Sequence, residues 1–198
     1  TKYRTQVQNG ACTPVYSAIA TINIDPVTVG GTISGGGTVC ISGNSGTLTS
    51  AGGRVGSILK WQYSTNGGTT WNDTAVITPT INYLNLTATR IYRVQVASGS
   101  CASAFSSTGT VSVSPLTVGG SVNPAVSTVC SGSNSGSLVL SGHTGSVVRW
   151  QFTINGGTTW INIANTTATQ AYSNIATNIQ YRALLQSGNC TAVYSNIA

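Results

Sequence analysis

Cys12, Cys101 and Cys190 stand 89 residues apart, and Cys40 and Cys130 fall between them. Thiols at recurring positions point to a disulfide framework in an oxidising compartment. They lack the paired C-x-x-C spacing of a zinc site, and the one histidine is His143. Acid–base chemistry has little to work with. The chain of 198 residues has two carboxylates, Asp25 and Asp73, at different places in the repeat, so paired-carboxylate catalysis is not expected. His143 lies in a glycine-rich turn whose counterpart in the other copy is the Gly53-Arg54 region, so a Ser-His-Asp site is not expected either. Neither a catalytic residue nor a cofactor site is assigned. Calcium joints need several charged oxygens, which two carboxylates cannot supply.

Other residues keep the same step. Tyr3, Tyr92 and Tyr181 do, as do Arg4, Arg93 and Arg182, Trp61 and Trp150, and Trp71 and Trp160. Pro26–Gly31 returns as Pro115–Gly120. A fixed period of this size means consecutive copies of one domain. The division is 1–25 as the last strands of an upstream copy, 26–114 as a complete unit, and 115–198 as a second, nearly complete one. An 89-residue unit can bury a core of its own, unlike the shorter repeats of solenoids.

Charged residues are 5 % of the chain and hydrophobic ones 40 %, so the surface is Thr, Ser, Gly and Asn without being a disordered composition. The net charge of +6 could attract polyanions, but no Lys/Arg run concentrates it, and solvated scatter is the simpler reading. No run of 18 apolar residues is present for a membrane span.

The elements that must position these residues are strands. Ser57–Ser64 alternates, with Ile58 out of step, and reads as a central strand. Thr65-Asn66-Gly67-Gly68 is a hairpin signal, and Thr69–Trp71 is expected to return from it. Val27–Ser34, continued by Thr38–Cys40, then Thr47–Thr49, Thr80–Leu86, Ile91–Ala97 and Ala104–Ser114 complete about seven short strands. That number, with turn chemistry between them and no helical period, predicts an all-β fold of tandem β-sandwich domains arranged as a rod. Trp61, Tyr92, Trp150 and Tyr181 are the expected core. Gly30-Gly31 and Gly35–Gly37 are expected to be strand kinks rather than phosphate loops, since no helix follows them. Trp71 and Trp160 point inward if the hairpin loop is odd and outward if it is even. Their recurrence favours packing over sugar stacking.

The topology bears on the cysteines. Intradomain pairing would join Cys40 to Cys101 and Cys130 to Cys190. Yet Cys40 lies where the chain leaves its unit, and Cys101 follows a long strand to the other end. A bridge needs Cα atoms within about 7 Å, and such a strand spans ~25–30 Å. Head-to-tail units would instead bring Cys40 to Cys190, leaving Cys12, Cys101 and Cys130 for other repeats. Both pairings stand at this point.

The run Leu86–Val96, with Tyr92 six residues after Leu86, resembles the E–F corner of fibronectin type III domains, and Trp61 resembles the strand-C tryptophan of immunoglobulin domains. Val94 stands where an antibody domain has its second B–F cysteine. Thr38–Cys40 with Lys60–Trp71, Val129–Gly132 with Leu140–Trp150, and Gln180–Gly188 are similar to repeats of giant surface proteins of Bacteroidota, such as gliding-motility adhesins of the SprB type. That resemblance implies export by type IX secretion, attachment at the outer membrane, and a filamentous, extracellular adhesin at the cell surface. Asp73-Thr74-Ala75 resembles the short O-glycosylation signal of the same bacteria. The expected function is a mechanical shaft for attachment and gliding motility. The alternative is a carbohydrate-binding accessory module of a secreted polysaccharide-active protein. The expected partners are neighbouring repeats, with surface polysaccharide or other filament chains as further candidates. Nucleic acid and membrane contact are not expected in this fragment.

Overall fold

The computed structural model describes residues 1–198, and its regular elements are all strands. Residues 1–25 hold β1 (Lys2–Tyr3), β2 (Gln6–Val7), β3 (Val15–Tyr16) and β4 (Ala20–Thr21). β1 pairs with β4 and β2 with β3, both antiparallel, so this segment is one hairpin folded about Cys12.

The next nine strands form two sheets. β5 (Thr32–Ser34), β7 (Ser45–Ala51) and β10 (Thr80–Leu84) make one, in the order β10-β7-β5. The other runs β6 (Gly37–Cys40), β13 (Gly109–Ser114), β11 (Arg90–Ala97), β8 (Ser57–Ser64), β9 (Asn72–Asp73), with β12 (Ala104–Phe105) also on β11. The expected first strand is therefore two strands on different sheets. The glycines make that crossing. Gly35 has φ +93°, and a Cβ on Gly36 would stand 2.3 Å from the carbonyl oxygen of Thr110. The chain thus leaves β7 and joins β13 in parallel, with Ser114 opposite Cys40.

The last strands repeat this plan. β14 (Ser121–Asn123), β15 (Ser135–Ser141) and β18 (Thr169–Ser173) form one sheet. β17 (Ile161–Ile163), β16 (Ser146–Thr153), β19 (Gln180–Gln186) and β20 (Val193–Tyr194) form the other, in that order.

Each pair of sheets encloses its own core. Leu48, Trp61, Val94, Val96 and Val111 are fully buried in the first, and Val122, Trp150, Ala183 and Leu185 in the second. Tyr92 and Tyr181 are buried in the same two clusters. The indole Nε1 of Trp61 donates to Thr78 O at 2.9 Å and that of Trp150 to Thr167 O at 2.9 Å, so neither buried N–H lacks a partner. Ile58 falls out of alternation because the β8–β11 register shifts between Gln95 and Val96, where Lys60 and Ile58 are the successive partners. This bulge skips Leu59 and lets Ile58 and Trp61 both face inward. The same shift recurs in β16, between Val147 and Arg149.

Three segments differ from expectation at their edges. The second strand, β7, is seven residues long rather than three, because it serves both β5 and β10. The return from the hairpin begins at Asn72, after Trp71. The final strand breaks at Ser106, whose hydroxyl accepts from Val94 N at 2.9 Å in place of a regular ladder bond.

Candidate functional site

Cys40 and Cys190 are joined in a disulfide across 150 residues, with Cα atoms 4.7 Å apart. Cys40 ends β6, and Cys190 lies in the turn between β19 and β20. The bond therefore links the exit end of the first sandwich to a hairpin turn of the second. The alternative intradomain pairing is not the one formed. Cys101 occupies the β11–β12 turn, away from the end of β6, and Cys12, Cys101 and Cys130 are free.

The loop that carries Cys40 is held by Asn44. Its buried amide donates to Cys40 O and to Leu86 O, both at 2.8 Å, and its Oδ1 accepts from Leu86 N at 2.8 Å. Asn134 does the same in the next copy, donating to Cys130 O at 2.6 Å and Ile175 O at 2.7 Å and accepting from Ile175 N at 3.0 Å. One amide thus satisfies three backbone groups and sets the direction of the cysteine. The sequence signal was available: an asparagine four residues after the cysteine in both copies.

On the other side of the joint, the turn before Cys190 is closed by Cys190 N donating to Ser187 O at 2.9 Å, and Ser187 N donates to Thr117 Oγ1 at 3.0 Å. Asn189 Nδ2 reaches across the joint to Thr38 O at 2.7 Å. Gly188 has φ +48°, and a Cβ there would fall 2.1 Å from Ser114 Oγ, so contact between the units demands glycine. The Sγ of Cys190 lies 3.2 Å from Pro115 O, directly against the linker.

The other recurring residues lie on the outer face of the larger sheets. Six residues, 65–70, separate Ser64 from Trp71, so Trp71 points away from the core. The Arg93 guanidinium sits 3.9 Å from the ring centres of both Trp71 and Phe105. Arg182 stacks likewise between Trp160 at 3.9 Å and Tyr194 at 3.8 Å, and Arg4 lies 3.8 Å over Tyr16. The Arg93 stack therefore occupies one side of the half-buried Trp71 ring. Arg93 Nε donates to Gln62 Oε1 at 2.7 Å, and Gln62 Nε2 donates to Asp73 Oδ1 at 2.6 Å. Hydrogen bonds from Lys60 and Gln62 hold the exposed Asp73 carboxyl below its ordinary value. In the second copy Asn162 takes the place of Asp73 and accepts from Gln151 at 2.8 Å.

Thr74, the residue of the glycosylation-like triplet, donates its hydroxyl to Trp61 O at 3.1 Å and is only partly exposed. His143 lies in the β15–β16 turn, and Asp25 accepts from Ser100 N at 2.9 Å beside Cys101. No three His, Cys, Asp or Glu side chains come together as a metal site.

The profile of a family described as Domain of unknown function (DUF8696) matches twice, over residues 29–115 and 118–198. No curated protein matches the chain. Among solved structures, a marsupial T cell receptor is 13 % identical, with a TM-score of 0.56 over 83 % of this chain and 70 % of that one. Domains A168–A170 of titin are 12 % identical, with a TM-score of 0.47 over 100 % and 74 %. A 1.5-MDa bacterial ice-binding adhesin is 15 % identical, with a TM-score of 0.46 over 98 % and 71 %. At these identities the T cell receptor likeness shows the fold alone: tandem immunoglobulin-like sandwiches.

Proposed function

We propose, for a chain that belongs to the DUF8696 family through two consecutive copies of its domain, that it is a stretch of a structural and adhesive shaft whose units are stapled to one another. The observation that carries this reading is the covalent joint. A disulfide between consecutive units fixes how one unit sits on the next. Pro26 and Pro115 stand in short linkers and remove further freedom. A disulfide of this kind fits an oxidising, extracellular location.

The reading extends by period. Cys101 and Cys130 are placed to bond with units before and after this pair, and Cys12 belongs to the joint before that. Residues 26–114 and 115–198 are then the mechanical units, and the partners of each are its neighbours. The finer reading is a giant cell-surface adhesin of the gliding-motility type, exported by type IX secretion and attached at the outer membrane of a Bacteroidota cell. It rests on the repeat motifs alone. A carbohydrate-binding module is disfavoured because the recurring tryptophans are stacked on arginines.

An array of four units viewed by electron microscopy tests the shaft. Straight particles of on the order of 40 Å per unit are expected when oxidised, and bent ones after reduction. Particles equally flexible in both states would remove the staple's role. Antibodies to this region should label unpermeabilised cells, and labelling only after permeabilisation would contradict surface exposure.

A further inference from the structure

We infer that the Cys40–Cys190 bond is a length limiter, a strap that carries tension past both folded cores once either begins to yield. The inference rests on the stapled joint proposed above and asks what that joint does under load.

The bond closes a covalent ring across 150 residues. Every strand from β7 to β19 lies inside it, including the cores around Trp61 and Trp150. Only residues 1–40 and 190–198 remain outside or at the bond. A chain pulled at its ends therefore has two routes from Cys40 to Cys190. One runs through both sandwiches. The other is a single disulfide.

The strap is not slack in the folded protein. β6 and β13 run parallel and reach the joint side by side, with Cys40 opposite Ser114. From there the main chain enters Pro115, and Cys190 Sγ lies 3.7 Å from Ser114 O and 3.2 Å from Pro115 O. Linker and strap cross the joint together.

The lengths agree with this. Two folded units span about 80 Å, at on the order of 40 Å each. The strap route, residues 26–40 and 190–198, is about two dozen residues, or about 80 Å fully extended. Tension can peel the entry strands and β20, but that yields almost no length. The chain hidden inside the ring, about 500 Å of contour, stays out of reach. Without the bond, each sandwich would be a yielding element that lengthens severalfold. With it, the pair behaves as a cord of nearly fixed length whose cores can refold without having been drawn apart.

The test is single-molecule stretching of the whole chain, tethered at Thr1 and Ala198, with Cys12, Cys101 and Cys130 replaced by serine to prevent exchange. Oxidised protein should reach a total contour below about 200 Å. Under a dithiol reductant, or in Cys190→Ser, it should gain about 500 Å more, in steps. The reduced protein serves where the variant fails to fold. Non-reducing peptide mapping of the same sample separates the two ideas. If the Cys40–Cys190 peptide is present and the oxidised chain still gains about 500 Å, the limiter is wrong. If that peptide is missing, the stapled joint itself is wrong.

Discussion

Cys101 and Cys190 occupy matching sockets. The Sγ of Cys101 lies 3.4 Å from Pro26 O, and that of Cys190 lies 3.2 Å from Pro115 O. Both turns close with a 2.9 Å bond from the cysteine N–H, to Ser98 O and Ser187 O. Ser98 N donates to Thr28 Oγ1 at 3.0 Å, as Ser187 N does to Thr117. Gly99 and Gly188 both take positive φ, and a Cβ on either would run into the side chain just before the linker proline, Asp25 or Ser114. One of these sockets holds a disulfide, and the other holds the free Cys101.

Trp61 fills the first core and is fully buried. Trp61→Ala should cost about 3–5 kcal/mol of unit stability in chemical denaturation, from lost contacts and the cavity left. Trp150→Ala should cost the same. A loss below about 1 kcal/mol would place these residues outside the core.

Asn44 satisfies three backbone groups at the Cys40 loop. Asn44→Ala leaves those groups unpaired, and a loss of about 1–3 kcal/mol is expected by urea denaturation. Asp73→Asn should change stability far less, since Asp73 is exposed and the second copy manages with Asn162. Equal effects of the two changes would contradict the distinction between a buried clamp and a surface pair.

Burial raises the phenol groups of Tyr92 and Tyr181 above their ordinary 10.0. Their protonated forms are the ones the fold accommodates. This contribution to stability is whole below the ordinary value and is lost as pH rises through the raised one. Denaturation midpoints measured with blocked thiols should hold to about pH 9 and fall by about pH 11. Tyr92→Phe should flatten the first unit's fall, and an unchanged slope in that variant would assign it elsewhere.

Small-angle scattering should give the same elongated profile with and without a chelator, because packing and the staple hold the joint. Bending or collapse on chelation would show a metal at the joint.

The architecture was legible where one residue type recurs at one place. The 89-residue step pointed to repeated units, and the Trp–hairpin–Tyr order pointed to the larger sheet. The joint was half legible. Strand ends placed Cys40 and Cys101 apart, but the crossing made by Gly35 and Gly36 was needed to settle where Cys40 lands. The Arg93 stack was not read in advance. Its parts, Trp71, Arg93 and Phe105, each recur or are replaced by another aromatic, but only the pairing of β8 with β11 and β9 puts them on one face. Gln62 shows the limit of alternation. It faces outward and is still buried, because that stack covers it.

Whether consecutive units are stapled is decided most directly by non-reducing peptide mapping of the oxidised chain. A Cys40–Cys190 cross-linked peptide is predicted, with Cys12, Cys101 and Cys130 free to alkylate. A Cys40–Cys101 or Cys130–Cys190 peptide would put the bonds within single units and contradict the stapled joint.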